Sequence, residues 1–427
     1  MGGLFPPDNL ALGLDGTSSS PRARRKMVRA GVKAESFQAA SEELARRCDL
    51  TIGPKAIERL VQRIGQERID QRHAAVEAHR NLPLIARDDV ADPTRPSPAV
   101  AMVSVDGGRL QVRSSSSHTD VKPSSHWRES KTAVLETYLG QIHATDPDPD
   151  GPRCLLDLKR TATMVRGLGH ALPAGLDFEG EADNASPAAT TPRRRGQARG
   201  RRPGRPQRLA RSVLASRARS EDFGPIMHQA AWARNFFAAQ RRVFLGDGAA
   251  ANWTIHRHHF SSFVPVLDFV HALSYIFAAA FAGRSQSEGE AIYRRWIQAV
   301  WCGGVRIVLQ ELEARSSELG QPPEHSGESD PRRLVAEALS YLRNNADRMH
   351  YDAYRRDGLP IMTSAVESAI KMINRRVKGS EKFWSQRGAE AILQSRADFL
   401  SETDIMRKFW TTRNATASGF RPYRQSA

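Results

Sequence analysis

The stretch AVAMVSVDGGRLQVR, residues Ala99 to Arg113, decides the fold. An apolar run rich in valine leads to Asp106, and two glycines, Gly107 and Gly108, follow it. Short β-branched runs bounded by Asp and Gly read as a strand, a Gly-Gly turn and a second strand. Ala133 to Tyr138 is a further strand-like stretch, and Arg242 to Leu245 is a short apolar strand ending in Gly246-Asp247-Gly248. Strands set among long helical patterns make α/β the expected class.

Outward from these strands the pattern turns helical. From Lys26 to about Arg80, Phe37, Ala40, Leu44, Ile57, Leu60 and Ile64 recur at helical spacing, broken at Thr51-Ile52-Gly53-Pro54. A helix-turn-helix-like module and any other small helical bundle fit this pattern equally. From Phe260 to about Gln394 the chain reads as mostly helical. Polar, Pro- and Gly-bearing breaks fall at Asp89–Ser97, Thr145–Pro152, Ala182–Pro192 and Ser316–Asp330.

The 427 residues carry a formal net charge of +16, with 40% hydrophobic and 26% charged residues. That composition excludes wholesale disorder and points to polyanionic partners. Cys48, Cys154 and Cys302 are too few and too scattered for a disulfide framework or a four-thiolate zinc site, so a reducing compartment is expected. No apolar run approaches the ~20 residues that span a bilayer. Between Thr191 and Ser220 stand eleven arginines and no acid. Such a block repels itself and buries nothing, so it reads as a loosely ordered arm for phosphates, with Arg201, Arg202 and Arg205 as candidate DNA contacts.

The chemistry follows from the carboxylates. Asp106 and Asp247 each end an apolar strand beside glycines, where the backbone lets a ligand approach closely; one such Asp alone would be an ordinary turn former. Glu367 lies on a helix expected to be capped by Thr363 or Ser364, sharing a face with Lys371, Arg375 and Lys378. An ordinary surface helix with a Glu–Lys pair gives the same pattern. Three converging carboxylates would suit two-metal phosphoryl transfer, and oxygen-only ligands select Mg²⁺ or Mn²⁺. The RNase H-like fold supplies this arrangement, with an Asp on the first strand, an Asp after the fourth and an acid on a later helix.

Several stretches resemble bacterial insertion-sequence transposases of the DDE class, in the Kra-type group related to Mutator-like and hAT-like elements. They are VSVDGGRLQVR, FFAAQRRVFLGDGAAANWTIHRHHF, FVPVLDFVHALSYIFAAA and SAVESAIKMINRRVKGSEKFW. The resemblance implies an RNase H-like core interrupted by an all-helical insertion, with a helical N-terminal region. It makes Asp106, Asp247 and Glu367 the catalytic, metal-holding acids. Asp268-Phe269-Val270-His271 matches the group's (C/D)xxH signature, which places His271 near the scissile phosphate, and Trp253 falls where such elements carry an aromatic that aids DNA distortion.

On this reading the chain divides into a helical N-terminal region (1–90), a first part of the core (99–182), the Arg-rich arm (183–220) and a second part of the core (221–259). A helical insertion (260–360), the segment of the catalytic helix (361–400) and a C-terminal tail (401–427) follow. The expected function is metal-dependent cleavage and strand transfer of insertion-sequence DNA. Its partners would be DNA ends and target DNA, in a cytoplasmic, nucleoid-associated homo-oligomer. The alternative is an inactive or truncated transposase-derived DNA-binding protein. Members of the group commonly carry Cys-rich, zinc-ribbon-like sequence upstream of the segment that opens this chain, so a late start, a truncated copy or a naturally short member is implied.

Overall fold

A single mixed sheet organises the chain. In this computed structural model, which describes residues 19–113, 126–151, 153–173, 204–362, 364–379 and 382–417, the strands are β1 (Val100–Val112), β2 (Trp127–Leu139), β3 (Gln207–Ser216), β4 (Arg241–Gly246), β5 (Val264–Leu267) and β6 (Phe383–Trp384). Their order is β3-β2-β1-β4-β5, with β6 beside the far end of β1. The β1–β2 and β2–β3 pairs are antiparallel, whereas β4 runs parallel to β1 and β5 parallel to β4. The apolar run that opens β1 is buried on both faces, as expected of a central strand covered by helices on both sides.

Among the described residues, the helices that precede the sheet are α1 (Pro21–Lys33), α2 (Phe37–Cys48) and α3 (Pro54–Arg80), then the one-turn α4 (Leu84–Arg87). Ser20 and Ser36 cap the first two through their hydroxyls. Between strands lie α5 (Leu158–Gly167), α6 (Ser220–Trp232) and α7 (Ala250–His259). After β5 come α8 (Phe269–Phe281), α9 (Gln286–Trp301), α10 (Val305–Leu319), α11 (Pro331–Asn345) and α12 (Tyr351–Arg356). The chain then returns to the sheet as α13 (Ser364–Val377), α14 (Gln386–Leu400) and α15 (Ile405–Ala417). Among the described residues, no helix is long and apolar enough to cross a membrane.

Two buried clusters flank the sheet. One joins Val103, Val105, Ala133 and Leu135 to α6–α12; the other joins Leu110, Val112 and Val134 to α1–α3, α13 and α14. α3 crosses α14 so closely that a Cβ on Gly65 would lie 2.4 Å from the Ala391 carbonyl oxygen. Arg68–Asp398 at 2.9 Å and Arg72–Glu390 at 3.0 Å bind the same pair of helices. Two buried guanidiniums fasten the C-terminal end of α1: Arg376 donates to Gly31 O, and Arg396 to Val32 O and to Met372 O on α13.

Four expectations change. Gly107-Gly108 make no turn: β2 pairs with both glycines, so β1 runs unbroken from Val100 to Val112. The Arg-rich stretch does not remain an arm along its whole length, because Gln207–Ser216 is strand β3. Its charges are neutralised there: Arg208 lies 3.4 Å from Glu136 and 3.0 Å from Glu402, and Arg211 lies 3.6 Å from Glu402. Arg201 and Arg202 lie outside the described residues. The segment expected to be helical from residue 260 opens with β5, a four-residue apolar run too short for its periodicity to separate strand from helix. The expected tail from residue 401 includes α15, whose Phe409 and Trp410 are buried.

Candidate active site

Three parallel strands run side by side with an aspartate at the same level of each: Asp247 and Asp268 just past the ends of β4 and β5, and Asp106 within β1, two residues beyond its last pair with β4. Ser104 pairs with Leu245, so Asp106 and Asp247 stand two residues beyond the same register pair. Gly246 pairs with Leu267, which sets Asp268 beside Asp247, and Asp268 N–H donates to Gly246 O at 2.8 Å. Adjacent strands lie ~4.8 Å apart, so three carboxylates line one sheet edge. Ligand sites of open parallel sheets form at this carboxyl edge.

Local contacts fix each acid. Asn252, on the first turns of α7, donates to Asp247 Oδ1 at 2.8 Å and to Val105 O at 3.4 Å, tying the ends of β4 and β1 together. Ala249 N–H donates to the same Oδ1 at 3.0 Å, and the Tyr341 hydroxyl donates to Asp247 O at 2.6 Å. Gly248 has φ +95°, and a Cβ there would sit 2.6 Å from the Tyr341 ring, so both backbone and space require glycine. Gly107 is different: a Cβ there would meet nothing within 4 Å.

Glu367 arrives from the helix above. Val366, Ala369, Ile373 and Val377 of α13 are buried with Leu110 and Val112 of β1. Strand alternation puts Asp106 on the same face as Leu110 and Val112, the face that α13 covers. Glu367 is half-buried, with Lys371 Nζ at 3.7 Å.

The charges are coupled. Burial, then repulsion from Asp247, with a smaller push from Glu367, raises the Asp106 carboxyl from 3.8 to about 6, against the Gly107 N–H and His271. Burial and then Asp268 raise Glu367, while Lys371 and His271 oppose them. Burial would depress His271, but Asp268, then Asp247 and Asp106, carry it up from 6.5 to about 9, so it is a cation at neutral pH. Its Nδ1 lies 3.4 Å from Asp268 Oδ2, an ion-pair contact longer than a good hydrogen bond. Asp268 is fully buried and also caps α8, accepting from Val270 N–H at 2.9 Å.

The site therefore brings together Asp106, Asp247, Glu367 and His271, and adds Asp268. Lys371 is exposed beside it, 3.7 Å from Glu367; Arg375 and Lys378 are exposed farther along the same helix, the last just past the end of α13. Trp253 is not a DNA-facing side chain. It is 5% exposed, donates through Nε1 to Asn345 Oδ1 at 3.1 Å, packs against Gly246 and lies under the Arg348 guanidinium. Arg205 is exposed, away from the acids at the mouth of a cavity shared with Tyr138, Trp301 and Arg355. Sequence reading missed Asn252 and Tyr341, because nothing local marks a residue whose partner is a strand end elsewhere in the fold.

Among the described residues, no group of three or more His, Cys, Asp or Glu side chains is gathered tightly enough to hold a metal ion as placed. The donor set itself suits a hard divalent cation: carboxylate oxygens only, raised first by burial and then by neighbouring acids, a charge that a cation would balance. The chain matches no family model and no curated protein.

Proposed function

We infer that the chain is a DDE-type transposase with an RNase H-like core, acting on DNA ends and target DNA. The observation that carries this reading is the electrostatic coupling of Asp106 with Asp247 and Glu367 at the carboxyl edge of β1 and β4. The strand order β3-β2-β1-β4-β5, with β2 antiparallel, agrees with an RNase H-like core, and α8–α12 would be its helical insertion.

Asp106, Asp247 and Glu367 would hold Mg²⁺ or Mn²⁺. Such ions, when bound, activate an attacking oxygen and stabilise the departing one in phosphoryl transfer. The chain's own groups do the rest. The His271 cation, fixed by buried Asp268, donates to a phosphate oxygen at the mouth of the site. Lys371, Arg375 and Lys378 steady the flanking phosphates. Joining two DNA ends calls for a homo-oligomer.

The test is Mg²⁺-dependent nicking of a plasmid carrying defined DNA ends, followed by analysis for transferred 3′ ends, with Asp247→Asn as control. Nicking and joining that vanish in the variant support the reading, and activity that survives it ends the reading. Cleavage without joining would mark a nuclease instead. DNA binding without metal-dependent cleavage would favour a transposase-derived DNA-binding protein.

A further inference from the structure

Beyond Asp106, β1 and β2 continue as a ribbon, with Gly107 to Gln111 paired to Lys131 to Trp127 and β6 on the other side. Gln111 pairs with both Trp127 and Phe383, so the three side chains form a row across the strands on one face. In the body of the sheet that face is covered by the first cluster. On the ribbon, Trp127 is 38% and Phe383 36% exposed, while Leu110, Val112 and Trp384 are buried in the second cluster. His126 meets Phe383 edge-on at 5.4 Å, and Lys378 Nζ stands 5.5 Å from the centre of the Trp127 ring. Gln111 donates to Gly379 O at 2.6 Å, tying the end of α13 to the same face.

Around this row the charge is positive. Arg109, Arg113 and Lys378 are exposed, and the neighbouring acid, Glu129, is paired with Lys131 at 2.7 Å. Exposed aromatics flanked by cations on a sheet face are a surface on which unpaired bases stack while phosphates find guanidinium and ammonium groups. The row lies five residues from Asp106, about 17 Å along the strand. That is about five phosphate spacings of a duplex strand.

We propose that the β1–β2–β6 ribbon is a binding surface for single-stranded nucleic acid. Bases stack on Trp127 and Phe383, and Arg109, Arg113 and Lys378 take the phosphates. It rests on the phosphodiester reading only for its role, which is to hold unpaired nucleotides about 17 Å along β1 from Asp106, on the opposite face of the sheet.

The test is fluorescence anisotropy of the full chain with a labelled 15-nucleotide single strand and with a blunt duplex of the same sequence, in EDTA. Trp127→Ala and Phe383→Ala each weaken single-strand binding by roughly five- to hundredfold, as loss of one base–aromatic stack does. Trp127→Tyr keeps most of the affinity, and Lys378→Gln lowers the salt dependence by about one phosphate contact. Equal thermal midpoints show that the variants are folded. Binding within twofold of the unmodified chain in both alanine variants overturns the proposal. So does a Trp127→Ala chain that loses self-association in sedimentation while its nucleic-acid affinity is unchanged. Because binding is read without metal, a chain that binds here but never cleaves refutes only the catalytic reading, and one that cleaves with normal binding in the variants refutes only the ribbon.

Discussion

Replacing Asp106 with asparagine should stabilise the protein at neutral and alkaline pH. The carboxyl is buried beside Asp247 and Glu367, which lifts it from 3.8 to about 6. In the unfolded chain it ionises near its ordinary value, so between about pH 4 and 6 the folded state binds more protons, and stability falls as pH rises through this window. Above it the loss is complete. At 1.36 kcal/mol per tenfold, the carboxylate costs the folded state about 3 kcal/mol relative to its neutral form. Asparagine is never ionised, and its oxygen can still accept from Gly107 N–H. Thermal unfolding in EDTA at pH 4 and pH 8 measures the difference. Asp106→Asn should melt higher at pH 8, by on the order of 5 °C, and the gap should close towards pH 4. Added Mg²⁺ should then raise the unmodified chain more than the variant. A variant no more stable than the parent at pH 8, or a gap that does not change with pH, would refute the argument that these acids share one site.

His271 is raised from 6.5 to about 9 by Asp268 and the strand-end acids, so its contribution to stability is complete below about pH 6.5 and lost as pH climbs to 9; His271→Gln should flatten that decline in melting curves, and a parent curve already flat there counts against the pairing. Trp253→Ala should cost about 3–5 kcal/mol of stability by opening a core cavity, measured by chemical denaturation, whereas a DNA-contact role would leave stability nearly untouched. Gly248→Ala should impair activity together with stability, since the added methyl meets the Tyr341 ring at 2.6 Å on a backbone of φ +95°; Tyr341→Phe, which removes only the hydroxyl bonded to Asp247 O, should produce the milder loss in the same nicking assay. Gly65→Ala should lower the melting temperature without altering the pH dependence of the acids, because it pushes α3 off the Ala391 backbone far from them.

The local pieces were legible along the chain. The apolar runs before Asp106 and Asp247 specified strand residues leading to an acid, because side-chain alternation acts within a few residues; the turn expected at Gly107-Gly108 was overridden by pairing with β2. The face of α13 was equally legible: Val366, Ile373 and Val377 go into the core and Glu367 lies beside them. Tertiary structure decided everything that depends on a distant partner. Gln207–Ser216 became a strand because β2 offers it an antiparallel edge, with Glu136 and Glu402 receiving its arginines, and β5 because β4 offers it a parallel one. Asp268 gained its place through the Gly246 carbonyl, and Trp253 was drawn into the core by Asn345. The same distinction holds for the site. A single sequence shows which acids end strands or start helices, but their shared electrostatics arise from register and helix packing, and these are properties of the assembled sheet.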